Sequence, residues 1–295
     1  MARRSLSKRQ ARIAWAFLTP TLLILLVVAA YPLFRTFQLS LYRANLLDYP
    51  LRPEWVGLAN YAYLVQDAYW WTSVKNTVIF TVVSVALETV LGLGIALLVN
   101  ARFPLRGAMR TAMLIPWAIP TVVSAQMWRW MYNDVYGVVN DLLLRLHLIA
   151  KPLAWLADPH LVLPAVIAVD VWKTTPFMAL LLLAGLQSIP EELYEAARVD
   201  GAGALQQFAF ITLPLLVPAL LVALIFRTLD ALRVFDVIYV MTGVNPSTMS
   251  MSVYARQQLV DFGDLGYGSA ISTGIFLIIA LFVVLYLTAL RVEVD

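Results

Sequence analysis

Six stretches of this chain stay apolar for long enough to cross a lipid bilayer, and this constrains its folding more than any other feature. About 20 helical residues span the hydrocarbon core, and the stretches run over 13–34, 74–99, 109–130, 161–186, 213–239 and 269–290. Lipid offers no hydrogen-bond partners, so each stretch must satisfy its backbone internally and is expected to be a helix. With 61% hydrophobic and 13% charged residues, the chain lacks the polar surface that a water-soluble domain needs to cover its core. The expected fold class is all-α, a polytopic membrane protein with six transmembrane helices within 13–290. The first stretch follows basic residues as a secretory signal would, but it is too long for a signal core. No small-residue cleavage site follows it, so it is expected to remain a span.

Orientation follows from the ends and short loops. Arg3, Arg4, Lys8, Arg9 and Arg12 precede the first span, in segment 1–12. Arg102 and Arg106, with Arg110 just inside the third span, mark the second connection. The positive-inside rule places both in the cytoplasm, and an even number of spans returns the tail 291–295, with Arg291, to the same side. The bias is mixed. The loop 187–212 carries only Arg198 as a positive charge, whereas loops 35–73, 131–160 and 240–268, expected outside, hold Arg43, Arg52, Arg145, Lys151 and Arg256. The N-terminal cluster decides the assignment. Beyond it the basic residues are scattered, so the net charge of +3 gives no nucleic-acid footprint. The absence of cysteine excludes disulfides, thiolate metal sites and cysteine nucleophiles. His147 and His160 lie too far apart in sequence to suggest a metal centre.

Between the fourth and fifth spans lies a short polar insert. Ser188 with Glu191 makes a capping-box start, Pro190 suits a first turn, and Glu191 and Glu192 place negative charge at the positive end of the helix dipole. A short helix is expected from near Ile189. Leu193, Ala196, Ala197 and Val199 give it a small, apolar face, and Gly201 supplies the left-handed residue that ends it. Two readings follow from these signals alone: a knob that docks in a partner's groove, or a capped interfacial turn.

Charges inside the spans are the sharpest local clue, because ionisable groups in a bilayer are costly and mark pairing partners or a solute route. Glu88 lies in the second span, Asp170 and Lys173 in the fourth, and Arg227, Asp230, Arg233 and Asp236 recur at three-residue spacing in the fifth. Asp170 and Lys173 are one turn apart, which permits a local pair. The stripe from Arg227 to Asp236 either locks neighbouring helices as an ion-pair ladder or lines a path for a hydroxylated solute. The candidate path comprises Asp170, Lys173, Asp230, Arg233, Asp236 and Tyr239. Pro116, Pro120, Pro164, Pro176, Pro214 and Pro218 lie in or open the third to fifth spans, where helices are expected to be bent or interrupted. Loop 35–73 is rich in aromatics, among them Tyr42, Tyr49, Trp55, Trp70 and Trp71, which suit an interfacial belt or a docking surface.

The run from Glu195 to Pro214 resembles the cytoplasmic coupling loop of the membrane subunits of binding-protein-dependent ABC importers. That pattern, Glu-Ala-Ala-x3-Gly-x9-Ile-x-Leu-Pro, is met at Glu195, Ala196, Ala197, Gly201, Ile211, Leu213 and Pro214, with Asp200 beside the glycine. The likeness extends to Leu114 to Pro120, to Trp128, Trp130, Gly137 and Asn140, to Arg233 to Gly243, and to Gly266 to Ala270, which resemble the sugar-type permeases. It covers essentially the whole chain. One departure is that Val244 and Asn245 stand before Pro246 where the family usually has further glycines.

The resemblance implies the type I importer permease fold in a bacterial or archaeal plasma membrane, multi-pass, with both termini cytoplasmic. It implies a second permease subunit, two ATPase subunits that receive the helix near Glu195, an extracytoplasmic solute-binding protein and a sugar substrate, such as maltose, trehalose or another oligosaccharide, or glycerol phosphate. The chain lacks a Gly-rich Walker loop, so ATP would be bound by the partner ATPases and no cofactor is expected here. No catalytic residue is expected, since Asp170 is too isolated for an intramembrane enzyme. The alternative is an ion-coupled secondary transporter, which would use the same in-membrane acids but commonly shows internal repeats.

Overall fold

The computed structural model describes residues 8–48, 52–101 and 103–289; Arg3, Arg4, Tyr49, Arg102, Leu290, Arg291 and Asp295 lie outside the described residues. In chain order, α1 (Lys8–Leu25) passes through a π turn at Leu26–Ala30 into α2 (Tyr31–Leu39). Strands β1 (Tyr42–Arg43) and β2 (Glu54–Trp55) pair antiparallel with Tyr42 opposite Trp55, and α3 (Ala59–Gln66) and α4 (Ala68–Asn100) follow. Next come α5 (Arg106–Met113), α6 (Ile115–Ala118), α7 (Thr121–Met131), α8 (Val138–Arg145), α9 (Val162–Gln187), α10 (Glu191–Val199) and α11 (Ala204–Gln207). A π turn at Phe208–Thr212 leads to α12 (Leu213–Leu232), α13 (Asp236–Thr242), α14 (Met251–Arg256), a π turn at Gln257–Asp261 and α15 (Leu265–Ala289).

Among the described residues, five helical stretches are long and apolar enough to span: Gln10–Leu39, Ala68–Asn100, Val162–Gln187, Ala204–Leu232 and Leu265–Thr288. The third expected span, 109–130, is delivered in pieces as α5, α6 and α7. Ile119 is extended (ψ 132°) because a residue before proline is pushed out of the helical region, and Pro116 sits in the first turn of α6, where its missing N–H costs nothing. The other prolines behave differently. Helix α9 continues through Pro176 and α12 through Pro218. The fifth span breaks instead at Arg233–Phe235, where no proline stands, so 213–239 is not one helix. The loops expected at 35–73 and 131–160 also carry structure, the β ribbon and α3 in one and α8 in the other.

The chain divides into two compact units. One joins residues 1–67 to 255–276. Its rod from α1 to α2 is exposed along its apolar length, with Phe17 80% accessible, as suits a lipid-facing helix. Its ribbon is anchored to the start of α15: Leu46 N–H donates to the Gly263 carbonyl (2.8 Å), Leu265 N–H to the Ala44 carbonyl (2.9 Å), and the Tyr267 hydroxyl to Asp67.

The second unit joins 68–254 to 277–295, and its core is α4 packed on α9, with α12 against both. Helix α4 buries a row of polar residues and turns apolar ones outward. Ser73, Thr77, Ser84 and Glu88 recur at helical spacing and are buried, whereas Val82, Val90 and Leu98 face outward. This is the arrangement lipid favours, because polar groups find partners only within the protein. Ala96, Val99, Met178, Leu182, Leu186 and Leu216 fill the interface below. Gly185 lets α9 and α12 approach closely, since a β-carbon there would strike the Ala219 methyl and come within 2.8 Å of Leu216 Cδ1. Gly185→Leu is therefore expected to overpack this contact and destabilise the unit by about 1–3 kcal/mol. An unchanged melting temperature of the purified variant would contradict this close packing.

Candidate functional site

The in-span charges converge on one guanidinium. Arg227 of α12 is 3% exposed, and it forks onto Glu88 of α4, through Nε to Oε2 and through Nη2 to Oε1 at 3.0 Å. The same Nη2 donates to Asp170 of α9, and Nη1 donates to Asp230 Oδ2 at 3.0 Å. Thr174 Oγ1 donates to Glu88 Oε1 at 2.7 Å, with the Asp170 carbonyl equally near. Glu88 and Asp170, 0% and 7% exposed, thus have their charge met by Arg227 and bind three helices through one side chain. A planar guanidinium with five donors can do this; an ammonium point charge cannot.

Lys173 does not serve as the local partner of Asp170. Its ammonium donates to the carbonyls of Trp117 (3.3 Å) and Ile119 (2.6 Å), which the interruption at Pro120 leaves without helical donors. The second interruption is stabilised in a similar way. Ser250 Oγ donates to the Val234 carbonyl at 2.7 Å, and Asp236 opens α13 with negative charge at its N-terminal turn.

The two interruptions border a cavity of about 250 Å³. Its lining includes Asp170, Asp230 and Asp236 against Lys173, Arg227 and Arg233, three carboxylates and three cations, together with Thr121, Thr174 and the backbone of the second break. Five of the six residues expected on the path line this space. Tyr239 does not; it stacks on Phe235 one turn into α13, with ring centroids 5.2 Å apart. Arg233 lies in the break and Asp236 opens the helix after it, so the three-residue spacing is not a stripe on one helix. Thr121 and Thr174 also line the cavity, although sequence reasoning does not single them out, whereas Glu88 does not line it and acts through Arg227.

The polar insert forms a projecting helix. α10 starts at Glu191, close to the expected start near Ile189, but the expected capping box does not form: Ser188 Oγ donates to the Gly185 carbonyl at 2.7 Å, and Pro190 is the N-cap. Its C-terminus is a Schellman motif. Ala202 N–H donates to the Ala197 carbonyl (2.8 Å), Gly201 N–H to the Arg198 carbonyl (3.1 Å), and Gly201 sits at φ +81°. Tyr194, a residue that sequence reasoning did not single out, ties α10 to the following π turn through a 2.9 Å hydroxyl contact with Thr212. Glu195, Ala196, Asp200, Gly201, Leu213 and Pro214 are exposed, while Ala197 and Ile211 are half-buried. Val199 and Leu205, 88% and 84% accessible, leave an apolar face uncovered.

Residues 88–292 match the model of a family described as the inner membrane component of binding-protein-dependent transport systems. The chain is 47% identical to the trehalose/maltose transport system permease protein of Thermococcus litoralis over 98% of its own length and 97% of that protein. It is 41% identical to the sulfoquinovosyl glycerol transport system permease protein of Agrobacterium fabrum, covering 95% and 91% of the two chains. Its fold superposes on a chain of a bacterial ABC transporter involved in the import of the acidic polysaccharide alginate, with a TM-score of 0.83, 24% identity and coverage of 97% and 98%. Predominantly helical and polytopic, with the type I importer permease fold, the chain belongs to the binding-protein-dependent transport system inner membrane component family, the non-catalytic permease subunits of ABC importers.

Proposed function

We propose that this chain forms, with a second permease subunit, the pathway by which a sugar delivered by an extracytoplasmic binding protein crosses the plasma membrane of a bacterium or archaeon. Two partner ATPases bind the ATP and receive α10 on the cytoplasmic side, where both chain termini also lie. The observation that carries the solute class is the charge-balanced cavity at the two helix breaks: equal numbers of carboxylates and cations suit a neutral solute rich in hydroxyls better than an ion. The names of the trehalose/maltose and sulfoquinovosyl glycerol relatives support the same class. Broken helices bordering a cavity are where a membrane protein can offer backbone groups to a solute.

The test is uptake of labelled trehalose and maltose by proteoliposomes holding the complete complex, with ATP enclosed on the α10 side and loaded binding protein outside. Asp236→Asn, in a complex that still assembles, is expected to raise the apparent KM for the preferred sugar. One lost hydrogen bond to a hydroxyl, about 0.5–1.5 kcal/mol, corresponds to roughly two- to thirteenfold. Uptake of neither sugar by the wild-type complex would remove the proposed substrate class, and unchanged kinetics in Asp236→Asn would take that carboxylate off the path.

A further inference from the structure

At the end of the second unit where α9 begins, away from its α10 end, lies another cavity, of about 300 Å³, among whose lining residues are Arg129, Tyr132, Asn133, Asp134, Trp155 and Thr242. It is held by a rigid clamp. Asn140, 3% exposed on α8, donates to the Leu153 carbonyl (2.9 Å) and accepts from Leu153 N–H (3.1 Å) and from the Trp155 indole N–H (3.0 Å). The Trp155 ring is thereby fixed 5.6 Å from the ring of Tyr132, at an interplanar angle of 40°. Asn133 accepts from the N–H groups of Val135 (2.9 Å) and Tyr136 (3.1 Å), a turn that presents the exposed Asp134. Arg129 reaches the Val240 carbonyl of α13 at 3.5 Å and closes one edge.

The Tyr132 side chain is packed, with 8% of the residue exposed. It stands in the lining of a cavity that also offers a carboxylate, a guanidinium and an indole.

We propose that this cavity is a saccharide subsite, which a sugar ring occupies before it reaches the charge-balanced cavity between the helix breaks. The inference rests on the sugar reading above and adds a second place of contact to it. The aromatic pair packs against the C–H face of a pyranose, Asp134 accepts from its hydroxyls, Arg129 donates to them, and the Tyr132 hydroxyl does either. The volume lies at the low end of the range for small-molecule pockets, about 300–1,000 Å³, which suits one ring of an oligosaccharide.

The experiment uses the complete complex in lipid nanodiscs and measures saturation transfer to maltose and trehalose by NMR, in wild type, in the Tyr132→Phe/Asp134→Asn double variant and in Asp236→Asn. The double variant keeps the aromatic ring and alters an exposed carboxylate, so assembly is expected to persist; gel filtration checks it. Transfer to the sugar is expected to fall at least fivefold in the double variant and to persist in Asp236→Asn. Equal transfer in wild type and the double variant overturns the subsite, as does sugar uptake by a wild-type complex that shows no transfer. If the double variant instead weakens docking of the sugar-free binding protein, the cavity is a protein contact and the inference fails while the sugar reading stands. If the wild-type complex takes up neither sugar, the sugar reading itself falls and the subsite with it.

Discussion

Arg227→Leu is expected to cost the assembled protein about 3–5 kcal/mol, the largest loss of any single substitution considered for this chain, because it strands two buried carboxylates. Glu88 and Asp170 lie 0% and 7% exposed and both bond to this one guanidinium. Marginal stability of the usual size does not absorb such a loss, so the variant should reach the membrane in low yield and melt early. Arg227→Lys keeps the charge but not the fork, and should fall between the two. The triple variant Glu88→Gln/Asp170→Asn/Arg227→Gln removes the uncompensated charge together with its partners, and should regain much of the stability lost by Arg227→Leu. Folded yield and thermal melting of the reconstituted complex read this order directly. A wild-type melting temperature in Arg227→Leu would show that the guanidinium is not what holds α4, α9 and α12 together.

The triple variant also separates holding from transport. If the charges serve only to lock the helices, a stable neutral triad should still carry solute; if Asp170 also meets the solute from its place in the cavity wall, uptake should fall while stability holds.

Much of this arrangement was legible in the sequence, and what was not has physical reasons. Membrane class follows from the length and polarity of the apolar runs, because lipid leaves the backbone only one local solution. The interruption of the third span was signalled by Pro120, which acts on its own neighbour. The fifth span's interruption at Arg233–Phe235 was not, because no local breaker stands there; what stabilises it is Ser250, sixteen residues away, donating to Val234. Pairing among the charges was equally hidden. Asp170 and Lys173 are near in sequence, but the guanidinium that Asp170 meets is 57 residues away, and the carbonyls that Lys173 meets are 54 and 56 residues away. Spacing along one helix cannot report which neighbouring helix supplies a partner.

The polar insert between the fourth and fifth spans shows the opposite balance. Its Gly201 was readable as a left-handed terminator because a positive φ is a property of one residue, and the structure places it at φ +81°. The capping box at Ser188 was not realised, because the fourth span's last turn offers Ser188 Oγ a closer acceptor in Gly185. Tyr194 acts through the side chain of Thr212, eighteen residues on, in a π turn that no local signal announces.

Gly201→Val is expected to uncouple transport with little effect on insertion of the spans. A β-carbon at this position meets nothing within 4 Å, so the substitution creates no clash; its cost is the φ of +81° itself. A β-branched residue held there stores about 1–3 kcal/mol of strain. The chain can relieve the strain by giving up the two bonds of the Schellman motif, from Gly201 and Ala202 to the last turn of α10. That would tilt or fray the exposed helix that we propose seats in the partner ATPase, so sugar-stimulated ATP hydrolysis and uptake should fall together while the variant is still found in the membrane. Gly201→Asn provides the control, because asparagine tolerates the left-handed region and should retain more uptake than valine while enlarging the side chain comparably. The expected order of uptake is glycine, then asparagine, then valine. Equal uptake by all three would show that the terminator's conformation does not matter to coupling, and a variant missing from the membrane would place the effect in folding instead.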